Sequence, residues 1–388
     1  MKFLHTADWQ LGKPFAGVDD SQKRAILQNK RLSVLKRIAD QAREHGAEFA
    51  LVAGDLFDSP GATKSTVAAA CSAIGNMKIP VFAIPGNHDH GGAGSLWGQE
   101  FFQRERDKLA PNLTVLLKAE PVELENAVLF PCPLLRRHEA NDPTTWLRST
   151  QDFGERFGNK PRIILAHGSV LNFGTLPDDD ESDVSAPNLI DLARLPGKDF
   201  DYIALGDWHG SKQVAEKAWY SGTPELDRFV KGEEHNPGNI LVVEASRGQL
   251  PKIQCIHTGE IGWHELNFNF PDDAGIEHLN TLVDGKIASR ANQDLLRLHL
   301  SGSLGIEASA QLERMIESWN ARLLRIKLDN QTVIAPSPAE LDRLTRRSDD
   351  PLIARVAAKV ASMASLENDQ AAVARIALRE LYAACNTH

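Results

Sequence analysis

One arrangement constrains this chain more than any other. Apolar runs stop abruptly on glycine, aspartate, asparagine or histidine, and they do so five times in order: "KFLHTADWQ", "FALVAGD", "PVFAIPGNHDH", "RIILAHG" and "YIALGDWHG". Between the first two runs, Leu32, Leu35, Ile38 and Ala42 repeat at helical spacing. A second helix is expected from about Lys64 to Asn76. Buried strands alternating with helices predict a layered α/β domain whose polar strand ends collect along the C-terminal edge. A single Gly-Asp is usually a turn, and a single histidine is usually structural. Five such endings in one order are not accounted for by turns.

The endings place Asp8 and Gln10, Asp55, Asn87 and His88, His167, and Asp207 and His209 on that edge. Carboxylates, an amide carbonyl and imidazoles are donors for divalent ions. Two such ions ~3.5–4 Å apart clamp phosphate oxygens and make water nucleophilic near neutral pH. Asp55, central in the order, is the natural bridge, because a carboxylate has two oxygens and a charge. Asn87 offers a carbonyl oxygen and His167 a ring nitrogen. Asp8 and Gln10 stand two apart, as do Asp207 and His209, so on extended chain each pair shares a face. His88 adjoins Asn87 and is expected beside the ions without binding them. With an ordinary pKa of ~6.5 it can protonate a leaving alkoxide. Trp9 and Trp208 flank the two pairs, as core aromatics or as walls of the site.

Charge and cysteine content narrow the function classes. The formal net charge is −9, so the chain as a whole lacks the basic footprint of a protein that holds nucleic acid by charge alone. A local basic groove or bound ions can offset an acidic body. The four cysteines are far apart and fit buried thiols in a reducing compartment better than a zinc site or disulfides. No apolar run reaches the ~18 residues of a membrane helix. "KFLHTAD" turns polar too early for a signal peptide, so a cytoplasmic protein is expected.

After "WYSGTPELDRF" the texture changes. "GNILVVEA", "KIQCIHT" and "WHELNFNF" alternate with period two and are expected as antiparallel hairpin strands. A helix–strand–helix–strand order follows, then a Pro-rich joint, "APSPAE", and a helical tail. The expected division is a catalytic domain over 1–265, a small α+β domain over 266–335 and a helical segment over 336–388. In the tail, Leu352, Ile353, Val356, Val360 and Met363 form one apolar stripe, and Val373, Ile376 and Leu381 another. Packing on the protein's own body is the expected use of such stripes, and a partner-binding arm is the alternative.

The order "HTADW…GD…GNHD…H…GDWH" resembles the calcineurin-like metallophosphoesterases. "GDLFDS", "PCPLLR", "FDYIALG" and "YSGTPE" resemble the SbcD-type DNA repair exonucleases within them, over roughly residues 1 to 335. The resemblance implies a four-layer α-β-β-α sandwich with a small α+β capping domain and a helical C-terminal tail. It implies two divalent metal ions, Mn²⁺ foremost and Mg²⁺ as the alternative. It also implies 3′→5′ exonuclease and single-strand endonuclease activity on DNA. The implied partner is an SbcC-like coiled-coil ATPase, held by the C-terminal helices. A homodimer through helices between about 60 and 110 is implied as well.

Carried over residue by residue, the first metal takes Asp8, Gln10, Asp55 and His209, and the second takes Asp55, Asn87, His167 and Asp207. His88 matches the catalytic histidine. Two positions depart from the family, which reads D-x-H and G-H-x-H where this chain has Gln10 and Asp207. Gln10 is a weak, neutral donor. Asp207 is a hard anion that suits Mn²⁺ and Mg²⁺. The expectation is an active enzyme with altered metal preference and a weakened first site. The alternatives are a phosphodiesterase or phosphatase for a small nucleotide, and a weakly active or inactive binding subunit.

Overall fold

The computed structural model describes residues 1–148, 153–171, 187–230, 236–366 and 369–386. Within the tail expected over 336–388, residues 367, 368, 387 and 388 lie outside the described set. Two compact units divide the chain, Met1–Ile261 and Gly262–His388.

The first unit opens with β1 (Lys2–Thr6), α1 (Ser21–His45), β2 (Ala50–Ala53), α2 (Lys64–Gly75) and β3 (Val81–Ile84). It continues through α3 (Glu100–Leu109), β4 (Leu113–Val115), β5 (Val122–Glu123), β6 (Val128–Cys132), α4 (Phe153–Phe157) and β7 (Arg162–His167). It closes with β8 (Tyr202–Gly206), β9 (Lys212–Ala215), β10 (Ala218–Tyr220), β11 (Asn239–Glu244) and β12 (Lys252–His257). The strands form two six-stranded sheets, β12-β11-β1-β2-β3-β4 and β5-β6-β7-β8-β10-β9. β1 to β4 run parallel, and so do β6 to β8, so within each sheet the C-terminal ends of these strands share an edge.

Residue parity builds the layers, because successive side chains of a strand point to opposite faces. Leu4, Ala50, Val52, Val81 and Ala83 face Leu35, Ile38 and Ala42 of α1 and Val67, Ala70 and Ile74 of α2. Their neighbours Phe3, Leu51 and Ala53 point the other way, to meet Leu129, Ile163, Leu165 and Ala204 between the sheets. Val128, Phe130, Ile164 and Leu205 lie beneath Phe153, Phe157 and Phe200 on the outer face of the second sheet. The result is the four-layer α-β-β-α sandwich.

Helix α1 begins where Asp20 accepts from the Gln22 and Lys23 amides, and it ends on Gly46 at φ 63°. Its buried face also carries a charge, Arg31, which serves the site described below.

The second unit runs β13 (Gly262–Phe270), α5 (Gly275–Ile287), β14 (Asp294–Leu304), α6 (Ile306–Arg322), β15 (Arg325–Asn330) and β16 (Val333–Ile334). Helices α7 (Pro338–Thr345), α8 (Pro351–Ala364) and α9 (Asp369–Asn386) complete it. β11 and β12 form the expected antiparallel hairpin. "WHELNFNF" does not join them. It lies in β13, which pairs in parallel with β14 from Gly262 opposite Asp294 to Phe270 opposite Gly302. The reason is the intervening helix α5, since a helical crossover returns the chain in the same direction.

Helices α8 and α9 bury Ala357, Ala364, Ala374, Leu378 and Tyr382. The stripe residues Leu352, Val356, Val373 and Ile376 stay exposed, at 72%, 46%, 66% and 50%. Small residues allow close helix approach, so the alanine face packs and much of the larger apolar stripe is left outside. Among the described residues, no helix is long and apolar enough to cross a membrane.

Candidate metal centre

The polar strand ends do meet, but not by extended-chain alternation. Past Thr6 the chain stays beside the segment after β2, with the Asp8 amide donating to Gly54 O (3.1 Å) and the Gln10 amide to Asp55 O (2.8 Å). Along this path the backbone turns left-handed at Asp8 (φ 54°), Gln10 (φ 41°) and Asp55 (φ 53°), and across the site at Asp207 (φ 102°). These turns, and not a shared strand face, aim the side chains. Such conformations cost on the order of 1–3 kcal/mol each and persist where the surroundings over-determine them, most often at functional sites.

The second ligand set converges on one atom. His167 at the end of β7 is fully buried, and its Nδ1 donates to Ala53 O at 2.8 Å. That leaves Nε2 facing three oxygens: Asn87 Oδ1 at 3.1 Å, Asp55 Oδ1 at 3.6 Å and Asp207 Oδ1 at 3.8 Å. Burial alone pushes the His167 pKa down. The carboxylates of Asp55, Asp8 and Asp207 outweigh it and raise the pKa to about 9. A buried positive charge is therefore favoured at this point, and there the ion-free protein uses a proton. Asp8, Asp55 and His167 also offer ligand atoms all within 4.8 Å of one another. Burial, then repulsion from Asp55 and Asp207, raises Asp8 to about 6 against attraction from His209 and His167. A donor set of this kind, short of positive charge, fits a divalent cation.

The first set is arranged differently. His209, mostly buried, makes a 3.1 Å contact from Nδ1 to Asp227 Oδ1. Its Nε2 lies 3.4 Å from Gln10 Nε2, and Gln10 Nε2 also donates to Asp55 Oδ2 at 3.5 Å. Gln10 Oε1 is turned away and accepts from Lys13 Nζ at 2.8 Å. Asp8 accepts the Asp207 amide at 3.2 Å.

His88 is a third exposed, and its Nδ1 donates to Asp58 O at 2.8 Å. Its Nε2 lies 4.0 Å from Asp55 Oδ2. The His88 amide donates to Asp55 Oδ1 at 2.9 Å, which holds that carboxylate in place. Asp89 is fully buried and ties two loops together by accepting from the Gly86 amide (2.7 Å) and the Phe57 amide (3.0 Å). Burial, and then the nearby Asp55, push its pKa up to about 7.

Several supporting residues lie outside the five strand endings. Arg31 donates to Asp8 O, Trp9 O and Glu225 O, each at 2.9 Å, and to Thr223 Oγ1 at 3.1 Å. It clamps the Asp8 turn against the segment that contains "YSGTPE", so that stretch braces the centre. Ser169 donates to Asp207 Oδ2 at 2.8 Å. Lys13, Asp58 and Asp227 form a charged cluster beside Gln10. The one available signal was proximity, since Lys13 follows Gln10 by three positions and Asp58 follows Asp55 by three. Trp9 is buried and donates to Thr6 Oγ1 at 2.9 Å, as a core aromatic does. Trp208 is half-buried against the outer core of the second sheet.

With this geometry in view, the comparison with known families is decisive. The family description "calcineurin-like phosphoesterase" matches residues 1–231. The chain belongs to the calcineurin-like phosphoesterase family. As a calcineurin-like phosphoesterase it is a hydrolase of a family that uses divalent metals, and Asp8, Asp55 and His167 form a cluster suited to one. It is similar to the SbcD component of the nuclease SbcCD of Staphylococcus epidermidis (strain ATCC 12228 / FDA PCI 1200), with 23% identity over 224 residues. That alignment covers 54% of this calcineurin-like phosphoesterase and 57% of the relative, so the chain spans little more than half the length of that protein. One solved structure superposes with a TM-score of 0.40 at 13% identity, over 66% of this chain and 98% of that one, a likeness too slight to carry an argument.

Proposed function

We propose that this chain is a divalent-metal-dependent phosphodiesterase acting on DNA, of the 3′→5′ exonuclease type. The observation that carries the chemistry is the convergence of Asn87, Asp55 and Asp207 oxygens on His167 Nε2, with His88 beside them. Asp55, Asn87, His167 and Asp207 would hold an ion there, Mn²⁺ or Mg²⁺ by the hardness of an oxygen-rich set. When bound, such an ion polarises phosphoryl oxygens and makes water a nucleophile near neutral pH.

The chain's own residues do the rest. His88 Nδ1 keeps its hydrogen on the Asp58 carbonyl, so a second proton, taken up at Nε2, is the one that stabilises the phosphoryl group and then passes to the leaving 3′- or 5′-oxygen, returning the ring to neutral. The Asp89 carboxyl keeps the Asn87–His88 loop against the Asp55 loop. Burial of Asp8, Asp55 and His167 lowers the local dielectric and strengthens each of these contacts.

DNA as substrate is supported by the relative's name, which places it in the nuclease SbcCD. A coiled-coil ATPase of the SbcC type is the proposed partner. The exposed Leu352, Val356, Val373 and Ile376 support a helix-binding face on α8 and α9.

The test is digestion of 3′- and 5′-labelled single- and double-stranded DNA with Mn²⁺, beside hydrolysis of bis(p-nitrophenyl) phosphate. His88→Gln serves as the control. Mn²⁺-dependent shortening from the 3′ end, absent in the variant, is the expected result. Hydrolysis of the small diester with intact DNA would overturn the nuclease reading and leave a small-nucleotide phosphodiesterase.

A further inference from the structure

The first ligand set does not fit a divalent ion, and its hydrogen bonds show why. Lys13 Nζ stands 2.8 Å from Gln10 Oε1, 3.1 Å from Asp227 Oδ2 and 3.4 Å from Asp58 Oδ1. An ammonium has hydrogens to give and no lone pair, so the oxygen end of the Gln10 amide must face it. That places the NH₂ end 3.5 Å from Asp55 Oδ2 and 3.4 Å from His209 Nε2. The carboxylate only accepts. In the neutral ring that metal binding requires, His209 donates from Nδ1 to Asp227 Oδ1 and its Nε2 accepts as well.

Both Gln10 amide hydrogens therefore point at two atoms that a first ion needs. A dication placed there meets N–H hydrogens. Reversing the amide brings its NH₂ against the Lys13 ammonium. The Lys13 side chain is 21% exposed, so its charge is reachable from solvent. Across the site, Asp207 adds an anion to the second set, 3.8 Å from His167 Nε2. The two departures from the family pattern thus act in one direction, emptying one cation site and strengthening the other.

We infer that Gln10 and Lys13 replace the first metal ion. The chain binds one divalent ion, at Asp55, Asn87, His167 and Asp207, and the Gln10–Lys13 pair fills the place of the other. This rests on the metal-dependent phosphoesterase reading above, and its test is chosen to separate the two.

The chain is stripped with a chelator and titrated with Mn²⁺ alone. Calorimetry counts the ions, and electron paramagnetic resonance shows whether they are spin-coupled, as a pair ~3.5–4 Å apart is. The expected result is one equivalent with an uncoupled spectrum. Gln10→His combined with Lys13→Ala should take up two equivalents and show coupling. If that double variant does not melt cooperatively, Gln10→His alone is scored instead. Two coupled ions in the unmodified chain overturn the inference and leave the phosphoesterase reading standing. A folded double variant that still takes one ion also overturns it. No bound ion at all sinks both.

Discussion

Ion uptake should be strongly pH-dependent, because the ion must displace a specific proton. In the ion-free protein the His167 pKa is raised to about 9, burial working against it and Asp55, Asp8 and Asp207 more than compensating. A ring that coordinates through Nε2 must be neutral there. With a pKa of about 9, roughly one proton is released per ion bound at pH 7, and apparent affinity rises about 30-fold between pH 6.5 and 8.0, or about 2 kcal/mol.

The sign for stability runs the other way. A histidine pKa raised above its ordinary 6.5 stabilises the ion-free fold fully below pH 6.5, and that contribution is lost as pH rises through 9. Metal-free protein should therefore melt lower at pH 9 than at pH 7, while added Mn²⁺ protects more at the higher pH. Calorimetric titration in two buffers of different ionisation enthalpy measures the released proton directly. An affinity that changes less than about threefold over that interval, with no buffer dependence, would refute the assignment of His167 Nε2 as a ligand that is protonated before binding.

Other perturbations follow from the same geometry. His88→Gln should lower kcat by about 10²–10⁴ in the diester assay while the ion count by calorimetry stays unchanged. Gly54→Ala sets a Cβ 2.2 Å from His167 Nδ1 at a backbone φ of +91°, so Mn²⁺ uptake and the melting temperature should both fall. Arg31→Met strips donors from three buried carbonyls and should cost about 3 kcal/mol or more in denaturant unfolding. Ser169→Ala removes the 2.8 Å bond to Asp207 Oδ2 and should weaken Mn²⁺ binding about tenfold, read by calorimetry.

Much of the centre was legible because its residues sit where strands end. Asp55, Asn87 and His167 follow β2, β3 and β7 or close them, and parallel pairing within a sheet brings such ends to one edge. Asp8, Gln10, Asp207 and His209 reach the centre by a route that strand periodicity does not carry. Period-two alternation was expected to aim them, and left-handed turns at Asp8, Gln10 and Asp207 do so instead. Nothing in a local window announces those turns, since the Asp8 and Gln10 amides bond Gly54 O and Asp55 O more than forty residues away, and the Asp207 amide bonds the Asp8 carboxylate 199 residues away. The tail misled in a similar way. Its apolar stripes divide: Val360, Met363 and Leu381 pack against the buried Ala357, Ala364, Ala374, Leu378 and Tyr382, while Leu352, Val356, Val373 and Ile376 stay exposed.

The sequence by itself determined the layered α/β architecture, because alternating burial and helical spacing are written residue by residue. It also determined which donor types line the edge. Only the tertiary structure decided what Gln10 does. A glutamine is donor and acceptor at once, and which end faces the site depends on an ammonium from Lys13, a carboxylate from Asp55 and a histidine 199 residues distant, oriented in turn by Asp227. Hydrogen-bond direction is a property of the assembled network, and no stretch of chain carries it alone.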